Sequence, residues 1–181
     1  VTNITITADE HYLNSAIGYR TLLKIMNQTH IHLLITHLPI VGTALGALVL
    51  IHGIWTKSHA TLIAGYNVLI LSAVGACIAY ATGEGAEELV EHLPGFSDRL
   101  IEDHAEAALI TLIALIVVGC LALIGIIATI ISSSIARPLS WLVLAASVLA
   151  FITTAWTGYL GGKIRHTELG IIATYQNSQR K

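Results

Sequence analysis

Charge is what this sequence has least of. Only 11% of its 181 residues are Asp, Glu, Lys or Arg, while 55% are hydrophobic. A soluble domain of this size carries about twice that share of charge. It would also leave too much apolar surface in water, because small folds bury only part of their area. Cysteine chemistry is scarce as well. Cys77 and Cys120 each sit inside an apolar run, and no C-x-x-C or C-x-x-C-H occurs. That excludes a covalent c-type haem and a dithiol redox pair, and both cysteines read as small hydrophobes within helices. No Ser-His-Asp set, nucleotide loop or zinc-protease motif is visible, so no catalytic residues are assigned. There is no signal for nucleic acid. Val1 to Asn14 is polar and lacks the basic-then-apolar order of a secretory signal.

What remains is long and apolar. Four runs, Ile31 to Trp55, Leu62 to Ala81, Ala107 to Ile131 and Leu139 to Leu160, contain no Asp, Glu, Lys or Arg. A membrane-crossing helix needs about 20 mostly apolar residues, and each run meets this. Helices are required because lipid offers backbone groups no partner. The mean hydropathy of +0.76 agrees. The sequence therefore predicts an all-α, integral membrane four-helix bundle. Residues 1–30 form an N-terminal segment, 31–166 the transmembrane domain and 167–181 a C-terminal tail. Within the first segment Leu13, Ile17, Leu22 and Met26 recur at helical spacing beside Arg20 and Lys24. This predicts an amphipathic helix lying on the membrane surface.

The connections differ in kind. Thr56 to Thr61 and Ser132 to Pro138 are tight turns, so each joins antiparallel neighbours. Thr82 to Glu106 is long and acidic. Gly83-Glu84-Gly85 is expected to end the second span, with a short helix over Glu87 to Leu93 stopped at Pro94-Gly95. Ser97 is a good N-cap and Asp98 suits a first turn, so the third helix should start near Asp98. Four spans put both termini and the long loop on one side. All eleven acidic residues fall there, while the tight turns carry Lys57 and Arg137 without any acid. We read a multi-pass protein of the bacterial inner membrane with periplasmic termini. Trp55 and Trp141 mark one lipid interface, and Tyr80, Trp156 and Tyr159 the other.

Nine histidines are many for so apolar a chain. Ionisable groups in or near a span point to function. His37 lies about two turns into the first span, and His104 about two turns into the third helix. Two such imidazoles on facing helices would clamp a b-type haem, which takes one axial imidazole from each side. On this phasing His30, His37 and His52 share one face of the first span and look inward. Thr36, Thr43 and Thr111 are candidate hydrogen-bonding supports. Gly161 and Gly162 would let a macrocycle edge or another helix come close. His11, His30, His32 and His59 read as polar trim in the headgroup zone. The competing chemistry is a divalent metal ion. Glu84, Glu88, His92 and Glu102, with His104 and Glu106, offer imidazole and carboxylate donors on one side. Most of these acids also read as a solvated loop face. Gly42, Gly46 and Gly53 form a small-residue row. If the histidines look inward, that row looks outward, toward a second copy or another subunit.

Three stretches resemble a family of bacterial four-helix membrane proteins of unknown function. His37-Leu38-Pro39 is similar to the family's His-Phe-Pro element, with Leu for Phe. His104 matches a histidine at the start of the third helix. Gly158-Tyr159-Leu160-Gly161-Gly162 followed by His166-Thr167 is similar to a Gly-Trp-Leu-Gly-Gly…His-Gly ending, with Tyr for Trp and Thr for Gly. The resemblance covers the spans and their order. It implies that His37, His104 and His166 act together on the termini side, and it supplies no function.

The reading that follows is a membrane electron-transfer subunit of a respiratory or photosynthetic complex. It would hold one haem b between His37 and His104, with His166 as a supporting or alternative ligand. The implied partners are membrane lipid, other membrane subunits or a second copy, and a c-type cytochrome drawn to the acidic face. The alternatives are a cofactor-free structural or assembly subunit and a divalent-metal-binding membrane protein.

Overall fold

The computed structural model describes residues 20, 23–24, 28–91 and 98–165. Its four helices are α1 (His37–Thr56), α2 (His59–Glu91), α3 (Asp98–Ile130) and α4 (Ala136–Arg165). Helical turns from Gln28 lead into α1, so the first apolar span runs Gln28–Thr56. The other spans are His59–Glu88, Asp98–Ile130 and Ala136–Ile164. All four are long and apolar enough to cross a membrane, and the all-α, integral membrane four-helix bundle is the observed architecture. Most of the expected amphipathic segment lies outside the described residues. Arg20, Leu23 and Lys24 within it are helical and exposed.

The lead-in and α1 meet at Thr36, where helical assignment lapses for one residue. Pro39 explains this. It has no N–H to give to Ile35 O, and its ring crowds that same carbonyl. The two tight turns share one chemistry. Lys57 takes a left-handed backbone (φ 56°) and Ser58 N–H donates to Gly53 O at 3.1 Å. Ser132 does the same (φ 51°), with Ser133 N–H donating to Ala128 O at 2.9 Å. These bonds close the helix C-termini. Ser58 Oγ then accepts the Thr61 N–H at 3.3 Å and caps α2. The expected start of α3 at Asp98 is observed. The expected end of the second span at Gly83-Glu84-Gly85 is not: α2 runs unbroken to Glu91. Both glycines face the α1 lead-in, Gly85 against Gln28 and Gly83 against His32. They let two helices approach and do not stop one.

Each helix packs on its two neighbours, α1 on α2 and α4, and α3 on α2 and α4, so α1–α3 and α2–α4 are the diagonals. The core centres on Leu50, Leu62, Tyr66, Leu69, Leu115, Val118 and Val143. Apolar residues outside it, such as Leu34, Leu48, Ile113 and Leu149, are exposed and face lipid. Trp55, Trp141, Tyr80, Trp156 and Tyr159 are exposed as well. They stand near helix ends, where amphipathic rings anchor a span. Most buried hydroxyls are satisfied within their own helices, among them Thr43 by Pro39 O, Thr129 by Gly125 O, Ser147 by Leu144 O and Thr154 by Ala150 O.

The expected rotation of α1 is reversed. Gly42, Gly46 and Gly53 are buried, and His30, His37 and His52 are exposed. The glycines form the seam with α2, where Ser72, Leu69 and Leu62 fill the space a Cβ would need. On the other side of the seam Gly65 receives Leu50 and Gly75 receives Leu38. The glycine row is thus spent inside the bundle, and it calls for no neighbour outside. A Cβ on Gly53 would stand 2.9 Å from the Leu62 backbone nitrogen, which cannot swing away, whereas one on Gly162 meets nothing within 4 Å. Gly53→Ala should therefore cost about 1–3 kcal/mol through forced separation of α1 and α2. Gly162→Ala should be neutral or gain up to about 1 kcal/mol from helix propensity. Thermal melting of both variants in detergent checks this contrast.

Candidate functional site: two seated imidazoles

The bundle's termini end gathers two histidines from diagonal helices. His32 comes from the α1 lead-in and His104 from the second turn of α3. His32 Nδ1 lies 2.8 Å from Ala79 O on α2. His104 Nδ1 lies 3.0 Å from Thr157 O on α4. A carbonyl only accepts, so in each neutral ring Nδ1 carries the proton and Nε2 keeps its lone pair. Neither Nε2 has a hydrogen-bond partner among the described residues. Both rings lie at the same end of the bundle, on helices that are diagonal to one another.

Each ring is also seated on a glycine. A Cβ on Gly161 would stand 3.1 Å from His104 Cε1, and one on Gly83 would stand 3.6 Å from His32 Cε1. Gly161, chosen from sequence for close approach, therefore receives an imidazole, while Gly162 is exposed with open space beside it. Thr111 adds a brace. Its hydroxyl is 2.9 Å from Thr157 Oγ1, and Thr157 Oγ1 donates to Thr153 O at 3.0 Å, so Thr111 is the donor to Thr157. His104 and Thr111 thus both tie α3 to the same residue of α4. Of the other expected supports, Thr43 is occupied by Pro39 O and Thr36 bonds back to Leu33 O.

The structure does not bring His37 to His104. His37 is exposed on the outer side of α1, about 140° around the helix from His32. The imidazole of the α1 segment that turns into the bundle at the His104 end is His32, which read from sequence as polar trim. A signal for it was present. His32, Pro39, Gly46 and Gly53 recur every seven residues, so His32 continues the stripe that packs inward, and His37 does not. His104 opens the corresponding stripe on α3, followed by Thr111, Val118 and Gly125.

His166 and His92 lie outside the described residues. Glu84, Glu88 and Glu102 are exposed. Among the described residues no three His, Cys, Asp or Glu side chains converge as a metal group. Glu87, Asp98, Asp103 and Glu106 are exposed too, so the end that holds the imidazoles is rimmed by carboxylates. No family model, curated protein or solved structure matches the chain.

The seating predicts a fixed tautomer. Gly161→Val should push the His104 ring off α4 and break its bond to Thr157 O, at a cost of about 1–3 kcal/mol. Nitrogen-15 spectra of ring-labelled protein should show Nδ1–H at His104 in the parent and tautomer exchange in Gly161→Val.

Proposed function

We propose that this membrane bundle is an electron-transfer subunit that binds one b-type haem at its termini end, with His104 and His32 as the protein ligands. The observation that carries the reading is the pair of imidazoles on diagonal helices. Each holds its Nδ1–H on a neighbouring carbonyl and leaves Nε2 available. That outer hydrogen bond fixes ring orientation and raises ligand basicity, as it does in metal sites generally. The donor set also discriminates between metals. A structural zinc ion needs four protein ligands and a catalytic one three, and no third donor joins the two imidazoles among the described residues. A haem brings its own four equatorial nitrogens, so two imidazoles complete it.

When bound, the haem would supply a one-electron couple. The chain's own part is to hold the ligands, to exclude water with the apolar core beneath them, and to present charge. The carboxylates around this end would draw a basic soluble partner, such as a c-type cytochrome, by long-range steering. We place this face in the periplasm on account of its carboxylates; Arg20, Lys24, Lys163 and Arg165 lie on this side against Lys57 and Arg137 on the other, so the count of basic residues does not favour this orientation.

A dithionite-reduced minus oxidised spectrum of haem-supplied protein in detergent tests the proposal. The parent and His37→Ala should show a sharp b-type band, and His104→Ala and His32→Ala should each lose it. His104→Met, which keeps a ligand of another kind, should restore a shifted band and guard against simple misfolding. A flat spectrum from well-folded parent protein would overturn the haem reading and leave a structural subunit, to be characterised by what co-purifies with it.

A further inference from the structure

The opposite end of the bundle holds a cavity of different chemistry. It is a half-open hollow of about 240 Å³ between the two tight turns. Its walls carry Lys57, His59 and Arg137 together with Ser132, Ser133 and Thr129, and no carboxylate. Nor is a carboxylate near, since every acidic residue of the described bundle sits at the other end. Lys57 and Arg137 have no ion-pair partner among the described residues. Helices α2 and α4 begin here and α1 and α3 end here, so the helix dipoles offset one another and the charge of the cavity is that of its side chains.

One turn along α2 from the wall residue Leu62 lies Tyr66, which is wholly buried. Its ring rests on Gly125 and its hydroxyl stands beside Thr129, another wall residue, so it backs the wall from within the core.

We propose that this cavity is a binding site for a phosphate anion, the diester of an anionic lipid headgroup or free phosphate. Basic pockets between transmembrane helices bind lipid headgroups by this chemistry. The cavity opens at the level where headgroups lie, because Trp55 and Trp141 are exposed at the same end of the bundle. Lys57 and Arg137 supply the charge, and the serines and His59 supply donors.

Delipidated protein in a neutral detergent, read by native mass spectrometry and by melting temperature, tests this. Phosphatidylglycerol, phosphatidylcholine and inorganic phosphate are added in separate arms. We expect phosphatidylglycerol to be retained and to raise the melting temperature, and phosphatidylcholine to do neither. Lys57→Gln and Arg137→Gln should each weaken retention about fivefold, while Lys163→Gln at the other end leaves it unchanged. An equal response to inorganic phosphate would assign the site to the free anion. Equal retention by the parent, Lys57→Gln and Arg137→Gln, or no response to either phosphate source, would overturn the proposal.

Discussion

The close approach of α1 and α2 along their glycines sets the rotation of α1, and the rest of the structure depends on that rotation. Gly42, Gly46 and Gly53 have no side chains to hold the helices apart, so Ser72, Leu69 and Leu62 move into the space. In lipid there is no hydrophobic force between helices, and close packing of this kind is what drives their association. Turning the glycines inward turns His37 and His52 outward. It also carries His32, seven residues before Pro39, into the bundle. One packing seam therefore decides which histidine is carried into the end of the bundle that holds His104.

The second constraint is the absence of water in the core. A polar group there must find its partner in the protein. Most buried threonines and serines meet this by bonding to carbonyls of their own helices, and Thr111 does so by donating to Thr157 of α4. His32 and His104 cannot reach back that way and use the carbonyls of α2 and α4 instead. These bonds stitch helices together and set each ring's tautomer in the same act. The two ends of the bundle are thus chemically opposed. One presents seated imidazoles ringed by acids, and the other presents cations around a half-open cavity.

Much of the fold was legible in the sequence because its signals are long. Four uncharged runs define four spans, and two short turns fix the antiparallel order. Asp98 announces the start of α3. The run of Gly83 and Gly85 was misleading, since glycine both ends helices and admits close neighbours, and only the position of the lead-in tells which. The site was half legible. His104 and Gly161 were identified and do meet. His37 was preferred to His32 because depth in the span and the His-Leu-Pro element favoured it. Helix phase decides otherwise, and phase is set by packing against another helix. Periodicity held the answer, in the sevenfold spacing of His32 with Gly46 and Gly53, once the glycine row is known to face inward.

The measurement that bears most directly on the account is proximity across the bundle. In a background where the exposed Cys77 and Cys120 are replaced by serine, cysteines would be placed at His32 and His104 in one variant and at His37 and His104 in another. A short bifunctional thiol reagent should bridge the first pair within one chain and leave the second unbridged. Bridging of His37→Cys with His104→Cys, and none with His32→Cys, would contradict the rotation of α1 on which the site rests.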